Sequence, residues 1–579
     1  HRQGDVDFMW RASICGAENG TIEFRLDGQA LSTFRRNRIG FCVLHSMGCA
    51  GDGVTIEHTD GSVEDSRFPI QIAPQLEIDG AIRPVYPFAD MRALTHQVTP
   101  DLSAQVTFSG DIFEMEDQRN WTDASYKTYS TPLELSFPVE VLTATRVAQS
   151  VTLTLDGAKT EDRKIENPAD DTVVTIVVDR DSTMAVPAIG LGMASHGKSL
   201  TEREAERLRA LNLSHLRVDL SPAEPGDGER LALATTQARE LGVELEVALF
   251  VGDDTTDEIA ALREQLDLLA MPVCRWLIFH RDQPVTPPGL VDLARQHLES
   301  YRPSALFGAG SNAYYTDINR RHPDMQNADF LTYSLNPQVH AFDNASLVET
   351  LEAQAATVQS SRHLADDKGI VVSPVTLLPR FNPNATGPKP EPESGALPPQ
   401  VDPRQMSLFG AAWTVGSLKH LLGSGLQAVT YFETTGWRGV LEQEVGCPLP
   451  ALFRSAPGMA FPIFHVIADV GEFAGGEILA VITSDSRSVD GLAVRQGDDV
   501  MFLVANFTSY PQQVRIEGLD SPGRRRLLDE STFAVATGSP QQYRQETRPI
   551  WANGGRFSLE LGPYSIVRID TNVRLNESK

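Results

Sequence analysis

The chain has 579 residues, with 50 Lys and Arg against 77 Asp and Glu and a formal net charge of −27. So acidic a surface repels nucleic-acid phosphate and anionic membrane, so neither is expected as a partner, and the length calls for about three domains. Five scattered cysteines (Cys15, Cys42, Cys49, Cys274, Cys447) form no Cys-x-x-Cys pair, which gives neither a disulfide framework nor a zinc knuckle and points to a reducing cytoplasm. With no apolar run of about 18 residues and no basic-then-apolar leader, neither a membrane span nor a signal peptide is expected.

Up to about residue 183 the chain reads as short strands of period-2 alternation, at 21–26, 54–58, 139–142, 150–155 and 172–178, separated by Gly, Asp, Asn and Pro turns. This predicts an antiparallel β-sandwich over 1–183. Within it, residues 113–133 concentrate Glu114, Glu116, Asp117, Arg119, Asn120, Asp123 and Lys127 around Trp121, Tyr126 and Tyr129. Aromatics beside convergent polar groups suit either a small-molecule site or a structural contact between domains.

From residue 186 the rhythm changes to apolar strands followed by amphipathic helices. Strands are predicted at 186–193, 216–220, 244–251, 275–280, 305–310, 330–334, 370–375 and 428–432. The first helices are predicted at 201–211, 228–241, 257–269 and 288–301, and Thr201 with Glu204 forms a capping box. Eight strand-helix units over 184–474 give a central (β/α)8 TIM-type barrel. The proline-rich insert 379–403 follows the seventh strand and reads as a lid rather than a linker. Alternation returns at 479–483, 499–507, 512–516, 556–561 and 565–568, which predicts a C-terminal antiparallel β-sandwich over 475–579.

Barrel enzymes carry their chemistry at the C-terminal ends of the strands. Those ends are polar here: Ser195 and His196 after the first, Arg217 and Asp219 in the second, His280 to Asp282 after the fourth, Asn312 and Tyr314 after the fifth, Asn336 and His340 after the sixth, and Glu433, Trp437 and Arg438 at the eighth. Glu433 stands out because it follows the bulky run 429–432. Each has a structural alternative: an ion pair of Glu433 with Arg438, a bridge between Asp219 and Arg217, satisfied loop histidines, and asparagines serving turns. A Gly-x-Ser-x-Gly elbow, a His-Glu-x-x-His pair and phosphate-binding glycine motifs are all missing, which removes serine hydrolases, zincins and nucleotide enzymes. The Asn-Glu and Glu pair that a retaining glycosidase carries after strands 4 and 7 of such a barrel is also absent. No metal site or cofactor is expected.

The strings "FEMEDQRNWTDASYKTY" (113–129), "LNPQVHAFDNASLVETLEAQ" (335–354), "VSPVTLLPRFNPNATGP" (372–388), "QVDPRQMSLFGAAWTVGSLK" (400–419) and "YFETTGWRGV" (431–440) resemble the D-apionate lactonase family. The resemblance spans essentially the whole chain and departs at Asp317, where the family pattern implies Glu. It implies the same three-domain order and the hydrolysis of D-apionolactone to D-apionate in branched-pentose catabolism. Lactone opening requires a base for water, donors for the oxyanion and an acid for the ring oxygen. We assign Glu433 as base, His340 or Asn312 as oxyanion donor, and Glu116 or Asp117 near the leaving oxygen. Arg217, Asp219, Asn312, Tyr314, Asn336, Asn120, Trp121, Lys127, Trp437 and Arg438 are candidates to hold the sugar, with Trp437 over the ring. The alternatives are a glycoside hydrolase using Glu433 with a carboxylate of 113–133, and a non-catalytic carbohydrate-binding barrel.

Overall fold

The computed structural model describes residues 1–78, 81–84, 87–133, 135, 138–157, 173–381, 395–519 and 522–571. By internal contacts the chain divides into two compact units, His1–Asn167 and Pro168–Lys579.

The second unit contains the barrel. Its strands are β1 (Ala188–Gly192), β2 (His215–Leu220), β3 (Glu244–Val251), β4 (Val273–His280), β5 (Leu306–Gly310), β6 (Phe330–Leu335), β7 (Gly369–Val375) and β8 (Ala428–Thr435). Each pairs in parallel with the next, and β1 pairs with β8, so the eight expected strands close into a barrel. Parallel strands covered on both faces must be apolar almost throughout, as β4 shows in the run Trp276-Leu-Ile-Phe279, all buried. Helices such as Glu202–Arg209, Asp227–Leu241, Thr255–Leu269 and Leu290–Leu298 return the chain between strands. The Thr201 capping box is present: the Thr201 side chain accepts from the Glu204 N–H, and the Glu204 carboxylate accepts from the Thr201 N–H at 2.8 Å.

One packed cluster of the barrel is made of Ala248, Leu277, Phe279, Phe330, Val371 and Ala428. Gly308 is part of that fit, since a Cβ there would lie 2.1 Å from the Phe330 ring. Of the proline-rich insert, residues 382–394 lie outside the described residues.

A sheet of nine strands lies at the C-terminal end, from Glu477–Thr483 to Ile566–Thr571, around a core that includes Phe502, Val504, Ile516 and Phe557. The strand expected at 172–178 as the last of the N-terminal sandwich is Val173–Ala185, and it belongs to this sheet. It pairs antiparallel with Glu477–Thr483 and parallel with Gln512–Glu517. Its alternation buries Val174, Ile176 and Val178 in the C-terminal core, and no local signal reveals such a distant partner. This corrects the boundary at 183 and the purely antiparallel reading of the C-terminal domain.

The N-terminal unit pairs an eight-stranded sheet with a three-stranded one made of Cys42–Ser46, Glu114–Asp117 and Ser125–Tyr129. Val54, Ile56, Leu94, Val106 and Val151 from the first meet Met115 and Tyr126 from the second, the two-layer sandwich expected from period-2 alternation. The five cysteines are free thiols. Among the described residues no helix is long and apolar enough to cross a membrane.

Gly308→Ala tests the interior fit: forcing a methyl against Phe330 is expected to cost about 1–3 kcal/mol, read as a lower denaturation midpoint for the barrel. An unchanged midpoint would mean that the Phe330 ring moves aside freely.

Candidate active site

β8 is irregular near its C-terminal end. Leu191 of β1 pairs with Tyr431, but the next residue, Gly192, pairs with Glu433, so Phe432 is an extra residue in the ladder. Its backbone has φ 41°, a left-handed conformation that a bulky residue rarely adopts. Such a bulge breaks the in-out alternation and re-aims side chains. Phe432 and Glu433 thereby line one cavity of ≈ 470 Å³ at the C-terminal mouth of the barrel, large enough for a small sugar. Gly192 makes room for the turn, because a Cβ there would meet the Phe432 carbonyl oxygen at 2.8 Å.

Glu433 is 7% exposed. Its Oε2 accepts from the Ser195 backbone N–H at 2.9 Å, and its Oε1 pairs with Arg438 Nη2 at 2.7 Å. Burial raises its pKa above the usual carboxylate value, and Arg438, the Ser195 bonds and Arg380 only partly counter this. The expected ion pair with Arg438 is therefore present within the cavity, not in place of it.

Opposite lies a lattice of guanidinium and carboxylate groups. Arg217 Nε donates to Asp219 Oδ1 at 2.8 Å and Arg217 Nη2 to Asn312 Oδ1 at 2.8 Å. Arg380 Nη1 donates to Asp219 Oδ2 at 3.1 Å, and Arg380 Nη2 donates to the Asn312 backbone oxygen at 2.8 Å and to its Oδ1 at 2.5 Å. Burial works against the charge of Asp219, but the two arginines outweigh it and hold its carboxyl below the usual range. Arg217, Asp219, Arg380, Glu433 and Arg438 all line the cavity, with Ser195, Pro374 and Thr376.

Beneath the mouth, the barrel interior holds a buried polar chain. Arg217 Nη1 donates to both the Ser373 carbonyl and its Oγ, and the Ser373 hydroxyl donates to Glu246 Oε1. Thr430 also donates to that oxygen, at 2.7 Å, while Arg275 Nη1 lies 2.9 Å from Oε2. With its hydroxyl proton given to Glu246, Thr430 accepts from His215 Nε2 at 2.9 Å, and His215 Nδ1 accepts from Ser214 Oγ at 2.6 Å. His215 is thus the neutral Nε2–H tautomer, in keeping with a pKa that burial lowers to about 3. Burial opposes the charge of Glu246 too, but in the acid range where it titrates His215 is protonated, and that imidazolium with Arg275 and Arg217 outweighs burial and brings its pKa to about 2.

Of the residues singled out in the sequence, Arg217, Asp219, Glu433 and Arg438 meet at this cavity, and Asn312 joins them through the two arginines. Others are used elsewhere in the described structure. The Tyr314 hydroxyl donates to the Phe381 carbonyl at 3.1 Å, and Asn336 Oδ1 accepts from the Gln338 N–H at 3.3 Å. Trp437, half-buried, packs against a cluster of Val401, Phe453, Met459 and Phe461. His340 is exposed on the loop after β6, and Asp317 is buried and paired with Arg321 at 3.1 Å. The sequence reading missed Arg380. Its only local signal is a cation directly after the Pro379 that follows β7.

The charged stretch of the N-terminal unit has its own account. Asp117 and Arg119 form a fully buried ion pair at 2.7 Å. Asp117 Oδ2 also accepts from the Ala73 N–H, and Arg119 donates to the carbonyls of Pro69, Ile70 and Gln71. Asn120 Nδ2 donates to the carbonyls of Ala73 and Asp117. Glu116 accepts from Trp121 Nε1 at 2.9 Å and pairs with Lys127 at 2.7 Å. Charges leave water only when paired or hydrogen-bonded, and these partners, all within the N-terminal domain, pin residues 69–73 to the sheet.

Fold and cavity together describe a (β/α)8-barrel protein with flanking β-sheet regions whose barrel mouth holds a raised-pKa glutamate and a guanidinium lattice. Family models match at residues 1–158 (D-apionate lactonase, N-terminal domain), 189–475 (its TIM barrel domain) and 486–569 (its C-terminal immunoglobulin-like domain). The chain belongs to the D-apionate lactonase family. It is 29% identical over 516 residues to the D-apionate lactonase of Brucella anthropi, covering 87% of this chain and 81% of that protein. Among solved structures it is similar to a GH30 endoxylanase from Clostridium papyrosolvens C71 (TM-score 0.45, 11% identity, 69% of this chain and 99% of that one). It is also similar to a family 51 alpha-L-arabinofuranosidase from Bifidobacterium longum (TM-score 0.49, 13% identity, 69% and 99%).

The buried pair in the N-terminal domain yields a direct check. Asp117→Asn leaves the Arg119 charge uncompensated out of water and is expected to destabilise that domain by about 3–5 kcal/mol, measured by denaturant unfolding. A loss below about 1 kcal/mol, the range of exposed pairs, would show that the backbone carbonyls alone hold Arg119.

Proposed function

We propose that this protein hydrolyses a five-carbon sugar lactone, D-apionolactone, to the open sugar acid D-apionate, and that Glu433 is the group that handles the proton. The observation carrying this reading is the buried carboxylate of Glu433, its pKa raised despite its pairing with Arg438, in a cavity whose other carboxylate, Asp219, is held in an arginine lattice. Family membership and the Brucella anthropi relative support the substrate.

In this mechanism, ionised Glu433 accepts a proton from a water as the water oxygen bonds to the lactone carbonyl carbon. The carbonyl oxygen becomes an oxyanion, which a guanidinium stabilises. When the intermediate collapses, the bond from the carbonyl carbon to the ring oxygen breaks, and protonated Glu433 returns its proton to that departing oxygen. The new carboxylic acid ionises and releases one proton per turnover. One carboxylate serves both proton transfers, so neither Glu116 nor Asp117, whose oxygens are bonded within the N-terminal domain, is needed as a separate acid.

A glycosidase is the second reading. That chemistry requires two carboxyl groups with divergent pKa values, one of them protonated as acid, and Glu433, raised, with Asp219, held ionised, diverge in that direction. Both Asp219 oxygens are already bonded to Arg217 and Arg380, which favours a lattice role for it over that of a nucleophile.

Acid release from D-apionolactone by the pure protein, with no phenol release from aryl glycosides, is the expected result; the reverse would support the glycosidase. Glu433→Gln keeps the shape and removes the base, and is expected to lower kcat by about 10²-fold or more with folding intact. Near-native turnover would make Glu433 structural.

The pH dependence has a defined sign. The ionised form of Glu433 is active, and its pKa lies above 4.5, so kcat falls as pH drops through a limb above that value. Arg438 favours ionisation, so Arg438→Met moves the limb upward, by about 1 unit or more. A limb that stays in place or moves down would separate the titration from Glu433.

A further inference from the structure

We propose that Arg380 is the anion-binding group of this cavity, taking the oxyanion of the tetrahedral intermediate and then the carboxylate of the product sugar acid. The inference rests on the lactone reading above and adds to it a charge preference, a residue and a basis in the cavity's own electrostatics.

Donor accounting comes first. A guanidinium has five N–H donors and no acceptor. Arg380 uses three: one Nη1–H on Asp219, and the Nη2 hydrogens on the two oxygens of Asn312. Among the described residues, its Nε–H and second Nη1–H have no acceptor. Nε–H leaves on the Nη2 side of the planar group and Nη1 lies on the Cδ side, so the two open donors point along different edges, and each offers one charge-assisted bond to an anion. The side chain is only 14% exposed and lines the cavity, so bulk water is a poor substitute partner.

The charge balance points the same way. Three guanidinium groups (Arg217, Arg380, Arg438) and two carboxylates (Asp219, Glu433) line the inner part of the cavity, while Glu229 and Arg230, both exposed, stand at its rim. One positive charge is left over before substrate enters. The lactone is neutral, whereas the intermediate and the product each carry one negative charge at the former carbonyl. The site is thus complementary to what forms during the reaction and not to what binds first, which is how differential binding accelerates a chemical step.

Arg380 bears that excess more than its neighbours do. Arg217 is tied to Asp219, Asn312 and Ser373, and Arg438 is the counter-ion of Glu433. Burial, with Arg217 nearby, pushes the pKa of Arg380 down to about 9, against the pull of Asp219, with Arg438 adding to the strain. A cation under that stress, still protonated at neutral pH, gains most from an arriving anion. Arg380 also touches the two residues that Arg217 holds, so its guanidinium is fixed before substrate binds.

The test is a binding measurement that needs no turnover. Calorimetric titration compares D-apionate with the alditol of the same carbon skeleton, which has the hydroxyls but no charge. We expect the full-length protein to bind the sugar acid at least tenfold more tightly, Arg380→Gln to abolish that preference while leaving alditol binding within about twofold, and Arg380→Lys to keep part of it. In turnover, Arg380→Gln is expected to lower kcat with little change in KM, because the neutral lactone does not use the charge. Equal binding of acid and alditol by the unmodified protein, or an intact preference in Arg380→Gln, would overturn the proposal. If Arg380→Gln does not fold, competitive inhibition of the unmodified enzyme by the two compounds decides, with similar inhibition constants overturning it. A preference for the acid in a protein that fails to open D-apionolactone would sink the lactone reading and leave the anion site standing.

Discussion

The mouth of this barrel depends on a carboxylate that never reaches it. Glu246 is fully buried inside the barrel, where an isolated charge would be prohibitively costly. It is tolerated because Arg275, Thr430 and Ser373 surround it with charge-assisted bonds. Ser373 passes that constraint upward by accepting from Arg217, and Arg217 in turn orients Asp219 and Asn312. Those two residues hold Arg380. The chain runs through β3, β7, β2 and the loops after β5 and β7, so the barrel's closure and the site's geometry are one construction. Preorganised dipoles and charges of this kind require no reorganisation as charge develops, which is why they contribute so much to catalysis.

Glu433 is positioned by a different device. Where a regular β8 would turn Glu433 away from the side that Phe432 faces, the bulge at Phe432 brings both to one cavity and seats the carboxylate on the Ser195 N–H. The left-handed backbone of Phe432 is a local cost, tolerated because β1 supplies a glycine at the crowded point. Burial raises the pKa of the carboxylate, and Arg438 opposes that rise. The two opposed influences set the group between a plain surface carboxylate and a neutral buried acid.

Much of this was legible in the sequence. The switch from period-2 alternation to strand-helix repeats gave the barrel, because each register must bury a face and only one period does so in each region. Glu433, Arg217 and Asp219 were legible because a charge at the exit of a bulky strand has few structural uses. Arg380 was not, since a single arginine beyond a proline carries no periodicity. The strand Val173–Ala185 was read correctly as a strand and assigned to the wrong sheet, because its partners lie some 300 residues further along the chain. Glu246 sits in the apolar run 244–251, a carboxylate where a buried strand should have none, and that signal could have exposed the interior network. Residues 113–129 were correctly seen to need partners for their charges. Asp117, Arg119, Glu116 and Lys127 find many of them within a few residues of themselves, a local solution that composition does not distinguish from a site.

The central claim is that one cavity, between Glu433 and Arg380, performs the reaction. A crystal structure of the protein with D-apionate bound tests it most directly. The account predicts the sugar acid in the barrel mouth, its carboxylate accepting from an open N–H of the Arg380 guanidinium and within hydrogen-bond reach of Glu433. A sugar acid seated elsewhere, or one in this cavity with its carboxylate turned out to solvent, would contradict it.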